Sequence, residues 1–389
     1  MKPYTYVSLF SSAGVGCYGF KQENFDCVLT NELVERRLDV QKCNEKCKEP
    51  DSYLCGDITQ PRIKEYILSH INRYKKNHKL NDIDVVIATP PCQGMSVANH
   101  KKADNEIIRN SLVLEAIHIV FLIQPKVFIF ENVAAFMGTK CGKEGQERKI
   151  SQAIVDELSS DYTIDSKVIN FKDYGANSSR SRCVVLGVRK DSNIDMLEIW
   201  PNKEEPKIIK DLIFNLPRLT EMGEISEFDI YHNFKAYKPH MRDWIKDLKE
   251  GENAFDNIEP YKRPHQIKNG VLVPNANKNG DKYCRQFWDK TPPCIHTRND
   301  ILASQNTIHP EDDRVFSLRE LMIFMNVPFS FKWTIDDEAI LNKLSLSDKK
   351  IYLKKNEVNI RQSLGEAVPT IIFSKIAKNI KRALTRVKK

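Results

Sequence analysis

Ile83-Asp84-Val85-Val86-Ile87-Ala88 runs straight into Thr89-Pro90-Pro91-Cys92-Gln93-Gly94-Met95-Ser96, an apolar segment followed by a proline-bounded loop. The run is short and rich in β-branched residues, and it is closed by a turn signal. That pattern predicts a buried strand handing one cysteine to a loop at its carboxyl end. α/β enzymes place their chemistry at that edge. Consecutive prolines fix φ at about −65° and bar a helix, so Cys92 is held at the strand end. Taken alone, the stretch also reads as an incidental loop cysteine, because no histidine stands beside it.

Similar units precede and follow it. Thr5 to Phe10 reads as a buried strand, and the small-residue turn Ser11-Ser12-Ala13-Gly14-Val15-Gly16 leads from it into a helix. Such a turn lets backbone approach a ligand closely, although without a full G-x-G-x-x-G a plain tight turn stays open. Asp26 to Thr30 is a second strand ending at Asn31-Glu32. Its carboxylate lies sixteen residues beyond Gly16, suited to ribose hydroxyls. A helix from Leu33 to Cys43, a short strand ending at Cys55-Gly56-Asp57-Ile58 and a helix after Pro61 then reach the Cys92 strand. Ile107 to Ile123 reads as a helix on the sheet, with His118 as a packing residue. Pro125 to Phe130 is another strand, delivering Glu131-Asn132-Val133 to the same edge. Burial there would favour the protonated acid, with a helix-capping role as the alternative. Arg180 and Arg182, at i and i+2 ahead of the strand Cys183 to Val188, are expected to project to one side toward phosphate or carbonyl oxygens. The βα rhythm predicts an α/β fold with a parallel sheet covered by helices.

After Arg189 the rhythm is lost amid Lys, Asn, Pro and Gly, which marks a separate smaller module. Aromatics interleaved with Arg and Lys from Tyr283 to Asp289 suit nucleic acid, or an ordinary irregular β subdomain. A helix over Ser317 to Met325 and a charged segment over Asp336 to Lys355 follow. Arg361-Gln-Ser-Leu-Gly365-Glu-Ala-Val-Pro369 then opens an apolar and basic helix. The expected division is a first domain 1–195 completed by 355–389, a smaller second domain 196–335, and a charged connector 336–354.

Composition narrows the classes. The 389 residues have length enough for a sizeable core. A formal net charge of +8 permits a polyanionic partner without demanding one. The ten cysteines follow no secretory leader, which points to a reducing cytoplasm. Cys43, Cys47 and Cys55 lack a matching His pair, so no metal is expected. No window nears ~18 uninterrupted apolar residues, so a membrane span is not expected.

Together, in chain order, these pieces resemble the cytosine-C5 DNA methyltransferase family of prokaryotic restriction and modification systems. The carriers are Phe10 to Gly16, Pro91-Cys92-Gln93, Glu131-Asn132-Val133, Ser178-x-Arg180-x-Arg182, Arg285 to Asp289, Ile308 through Arg319-Glu320, and Gly365-Glu366-Ala367-Val368-Pro369. Departures from the family pattern are Ser8 for Asp, Ser12 and Val15 for glycines of the turn, Ser178 for Gln and Glu366 for Asn.

The resemblance implies a Rossmann-like S-adenosylmethionine-dependent methyltransferase sheet with a smaller, irregular target-recognition domain. It implies methyl transfer to C5 of a cytosine flipped out of specific double-stranded DNA. Cytosine C5 is a poor nucleophile, so a thiolate of Cys92 adds at C6 first. Glu131 donates to N3, Arg182 binds O2, and Arg180 positions loop or phosphate. Gln93 and Ser96 are implied on the substrate side. The cofactor is expected against Phe10, Ser11, Gly14, Gly16, Glu32, Asp57, Ile58, Pro91, Leu112, Ala367 and Val368. A cognate restriction endonuclease as partner, a monomeric state and a cytoplasmic setting complete the expectation. The alternatives are an RNA (tRNA) cytosine-5 methyltransferase and a catalytically silent DNA-binding relative.

Overall fold

A computed structural model describes residues 3–91, 110–142, 146–276 and 280–387. The chain divides into two compact units. One comprises Met1–Tyr174, Ser181–Glu204 and Thr370–Lys389, the other Gly175–Arg180 and Glu205–Pro369.

The first unit is built on seven strands. They are β1 (Tyr4–Leu9), β2 (Phe25–Glu32), β3 (Tyr53–Cys55), β4 (Val85–Ala88), β5 (Val127–Val133), β8 (Tyr162–Asn170) and β9 (Ser181–Arg189). A small separate pair, β6 (Lys140–Cys141) and β7 (Arg148–Lys149), lies between β5 and β8 in the chain. The sheet order is β3-β2-β1-β4-β5-β9-β8. Pairing among β1 to β5 is parallel, whereas β9 runs antiparallel to both β5 and β8. The all-parallel sheet predicted from the rhythm is thus corrected at one edge. The link 171–180 between β8 and β9 is too short for a crossover helix, and a short link permits only antiparallel neighbours.

β1 and β4 are buried at every residue, as strands covered on both faces must be. Val7, Leu9, Val86, Ala88, Phe128 and Phe130 form the core with side chains of two helices, Pro61–Asn77 and Leu112–Ile123. Fully burying each of the valine, leucine and phenylalanine side chains contributes about 1.5–3 kcal/mol. His118 belongs to none of this. It faces solvent between buried Ile117 and Ile119, not the sheet as expected. The helix Thr370–Val387 belongs to this unit too, and Thr370 Oγ1 donates to Val15 O at 3.0 Å.

The second unit has short elements and one long helix, Leu346–Glu366. That helix begins at Ser345, whose Oγ accepts the Asp348 N–H, so the stretch expected as a charged connector is largely helical. The expected boundary at 355 falls inside it. A hairpin is formed by β10 (His265–Lys268) and β11 (Val271–Pro274). The helix Leu318–Phe324 starts from a capping box of Ser317 and Glu320.

This unit also buries a charged cluster. Arg314 makes two bonds of 2.8 Å to the Glu320 carboxylate and one of 2.9 Å to Asp312. His309 Nδ1 accepts the N–H groups of Glu311 (3.2 Å) and Asp312 (2.9 Å), which leaves the ring proton on Nε2, 3.6 Å from Glu320. Burial, reinforced by the Arg314 charge, pushes His309 down to about 3. Burial works against the Glu320 charge, but Arg314 outweighs it and holds the carboxyl well below its ordinary range. Among the described residues, no helix is long and apolar enough to cross a membrane.

Candidate active site

β1 has β2 on one side and β4 on the other, so crossovers leave it in opposite directions. In open α/β sheets the carboxyl ends at such a switch form the ligand crevice. In the first unit this edge gathers Phe10 to Gly16 after β1, Glu32 ending β2, Asp57 and Ile58 after β3, Thr89 to Pro91 after β4, and Glu131 in β5.

The turn after β1 is unusual backbone. Phe10 (φ 54°), Ser12 (φ 45°) and Gly14 (φ 79°) all occupy the left-handed region. For non-glycine residues that conformation costs about 1–2 kcal/mol, so the surroundings must enforce it. Glu32 does part of this: its Oε2 accepts the Ser12 N–H at 2.7 Å, and its Oε1 accepts Val34 N–H at 3.1 Å and Arg37 Nη1 at 3.3 Å. A carboxylate has about four lone-pair sites, so at most one is left for a ribose hydroxyl. Beneath the turn, Gln41 Nε2 donates to Ser11 Oγ (2.8 Å) and Ser12 O (2.6 Å), and Gln41 Oε1 accepts from Thr30 Oγ1 (2.8 Å). Buried Lys46 donates to Ser8 and Thr30 hydroxyls at 3.0 Å each. A Cβ on Gly14 would stand 2.9 Å from Gln41 Cγ, so the turn admits no side chain there. Gln41 and Lys46 were not singled out from the sequence; their partners lie 11 to 38 residues away, beyond any local pattern.

Asp57 Oδ1 accepts the backbone N–H and hydroxyl of Thr59, and these bonds, the backbone one foremost, hold its carboxyl below the usual range. Ile58 is buried beside it. Leu112, half-buried, opens its helix.

The strand-end loop is tied at its first two residues. Thr89 Oγ1 donates to Phe10 O (2.9 Å), and Asn132 Nδ2 donates to Pro90 O (2.9 Å). Asn132 stood in a quoted motif without a role; its side chain anchors the proline loop. Pro91 is exposed at the last described position. Cys92, Gln93 and Ser96 lie outside the described residues.

Glu131 lies inside β5, not after it, which removes the helix-capping alternative. Arg182 in β9 is registered against Val133, so its side chain shares a face with Glu131, and Arg182 Nε stands 3.3 Å from Glu131 Oε1. Cys183, opposite Asn132, is no competing nucleophile: burial first, then the Glu131 charge, pushes its thiol up to about 11.

Arg180 does not join Arg182. Its Nη1 donates to the carbonyls of Ile295 and Gly365, both at 3.1 Å, within the second unit, where the side chain is buried. The expectation of two arginines projecting together is corrected, because Arg180 precedes the strand and its fork is taken up by the protein's own carbonyls. Gly365 closes tightly on the same segment, a Cβ there lying 2.4 Å from the His296 carbonyl. Ala367 and Val368 are buried in this unit. Among the described residues, Glu49, Asp51 and His70 form the group with converging metal-type donors, and the Arg73 guanidinium already binds both Asp51 and His70.

The family model described as C-5 cytosine-specific DNA methylase matches residues 4–382. The type II methyltransferase M1.HgaI of Avibacterium volantium is 29% identical over 388 residues, covering 96% of this chain and 97% of that one. M1.HphI of Haemophilus parahaemolyticus, another type II methyltransferase, is 29% identical over 380 residues, covering 97% and 86%. Among solved structures, a prophage-encoded DNA modification methyltransferase of E. coli superposes with a TM-score of 0.65 at 19% identity, over 98% of this chain and 99% of that one. That last likeness bears on fold alone.

Proposed function

Because the chain belongs to the C-5 cytosine-specific DNA methylase family, and is a DNA cytosine-5 methyltransferase of the restriction-modification kind, we propose that its chemistry runs at the β1–β4 crevice through Cys92, Glu131 and Arg182. The observation that supports this most is the Glu131–Arg182 pair, 3.3 Å apart beside the Asn132 bond that holds the proline loop.

The family implies S-adenosylmethionine as donor, and the crevice fits an adenosine-bearing ligand. Gly14 offers backbone without a side chain, Glu32 ends β2 at the ribose position, and Ile58, Phe10, Pro91 and Leu112 supply apolar surface. When bound, S-adenosylmethionine supplies an electrophilic methyl group. Ser11, Gly16 and Asp57 complete the proposed cradle.

The Cys92 thiolate forms a bond to C6 of the flipped cytosine, and the ring's electron pair moves toward C5. Glu131, holding a proton, donates it to N3 and draws charge from C6. Arg182 stabilises the negative charge that gathers on O2. C5 takes the methyl group as the methyl–sulfur bond breaks and S-adenosylhomocysteine is left; the C5 proton then goes to a base, the returning pair expels Cys92 as thiolate, and N3 gives its proton back to Glu131. Gln93 and Ser96 are proposed to hold the flipped nucleotide. Extrusion of the base costs a few kcal/mol, which DNA contacts must offset.

The substrate is duplex DNA in a prokaryotic cytoplasm, and a nuclease of matching specificity is the proposed functional partner of a monomeric enzyme. The test is methyl transfer by purified protein to a duplex library, with tRNA as competitor. Transfer to DNA that vanishes in Cys92→Ala is expected. Full transfer by that variant would remove Cys92 from the chemistry, and preference for tRNA would move the substrate to RNA.

A further inference from the structure

The second unit carries one element that its own core does not use. β10 and β11 pair His265 with Pro274, Gln266 with Val273, Ile267 with Leu272 and Lys268 with Val271, around a tight turn at Asn269 (φ 51°) and Gly270 (φ 76°). The two positive φ values are those of a type I′ hairpin turn. Opposed residues share a face, so one face carries His265, Ile267, Leu272 and Pro274, and the other Gln266, Lys268, Val271 and Val273. The first face is anchored at its base, where the His265 ring stacks on His240 at 6.0 Å and lies tilted against Trp244 at 5.3 Å. Beyond that anchor the ribbon is bare: Ile267 is 68% exposed and Val271 63%.

A lone two-stranded ribbon with β-branched side chains in water is marginal, and its free edges invite association. Something of suitable chemistry must cover it. The hairpin itself, residues 265–274, carries Lys268 and neither Asp nor Glu, while the nearby Lys262 is already paired with Asp247 at 2.8 Å. Among the described residues no acidic side chain pairs with Lys268. The complement of such a surface is a polyanion. The Gln266 face adds groups that a phosphate backbone alone would not require. Gln is matched to adenine N6 and N7, Lys to guanine O6 and N7, and valine methyls to the thymine methyl. A two-stranded ribbon is of a width that the major groove, about 12 Å across, admits.

We propose that the β10–β11 hairpin enters the major groove of the target duplex and that Gln266 and Lys268 read base edges, making them specificity-determining residues. This rests on the DNA methyltransferase reading above and deepens it by naming the element that selects the sequence. Phosphate contacts position a protein uniformly, whereas base contacts discriminate, so the two roles separate experimentally.

The experiment uses the full-length protein and its Gln266→Ala and Lys268→Ala variants. Bound duplexes are selected from a randomised library and sequenced, and methyl transfer is mapped in parallel. The expected result is a relaxed preference at one or two base pairs, with discrimination there falling about tenfold or more, while the melting temperature and S-adenosylhomocysteine affinity stay unchanged. An unaltered motif in both variants would overturn the proposal. So would a uniform loss across all sequences with a shallower salt dependence, the signature of a phosphate contact, or a change of sedimentation mass with an unaltered motif, which would assign the face to a second copy. Selection of bound duplexes needs no methyl transfer. A wild-type protein that selects a motif yet methylates nothing would therefore count against the catalytic reading and leave the hairpin result readable.

Discussion

Glu131 and Arg182 lie diagonally across two antiparallel strands, and each has a role the other's charge affects. The guanidinium that would meet cytosine O2 also steadies the Glu131 carboxylate in the absence of substrate. Glu131→Gln keeps the shape and a hydrogen-bond donor but cannot pass a proton. Its kcat is expected to fall by about 10²–10⁴ while S-adenosylhomocysteine binding stays within about twofold, as calorimetry and single-turnover assays would show. Wild-type turnover in this variant would remove the acid role. Asn132 acts one residue further along, its Nδ2 donating to Pro90 O at 2.9 Å and its Oδ1 accepting the Val133 N–H at 2.8 Å. Asn132→Ala removes two hydrogen bonds contributing about 1 kcal/mol each, so the melting temperature should drop modestly. Turnover should drop further, because the loop bearing Cys92 loses its tether. Equal proportional losses would mean that the bond is merely structural.

At the level of elements, what was legible in the sequence was what local pattern encodes. Uninterrupted apolar runs announced β1, β4 and β5, and a turn signal after each put Phe10 to Gly16, Pro91 and Glu131 near one edge. The direction of β9 is carried not by the strand's own residues but by the short link 171–180, a signal that the βα rhythm masks. The helix Leu346–Glu366 was hidden by its charge, since Lys349, although buried, reads as solvated: its Nζ donates to the carbonyl of Glu227 at 2.8 Å. The fate of Arg180 was equally hidden, because its acceptors at 295 and 365 are more than a hundred residues away. Arg180→Met should leave both carbonyls without their donor in a buried setting, a loss of about 2–4 kcal/mol. Urea titration monitored by tryptophan fluorescence should show it as a lower midpoint; an unshifted midpoint would mean that water replaces the guanidinium at no cost.

For the whole molecule, the second unit should be the acid-sensitive part. Native His309 stays neutral down to about 3, whereas in the unfolded chain the ring takes a proton near its ordinary value of about 6.5. Between those values the unfolded state binds more protons, so stability falls as pH drops through that window. Glu320 and Asp312, both held below the usual carboxylate range, act in the same direction once the pH passes below about 4.5. Three of the four tryptophans, Trp244, Trp288 and Trp333, lie in this unit, so fluorescence-monitored melting reports it directly. Melting temperature should decline from pH 7 toward 4.5, and a flat profile there would contradict the buried-neutral histidine. One further property follows from how the chain is apportioned. The sheet unit draws its last helix from Thr370–Val387, after the whole of 205–369 has gone to the other unit. The Thr370 hydroxyl that meets Val15 is therefore synthesised only after the whole of the second unit. The turn after β1 cannot be completed before then, and a nascent chain stalled before residue 370 should expose the second unit joined to an unfinished first one.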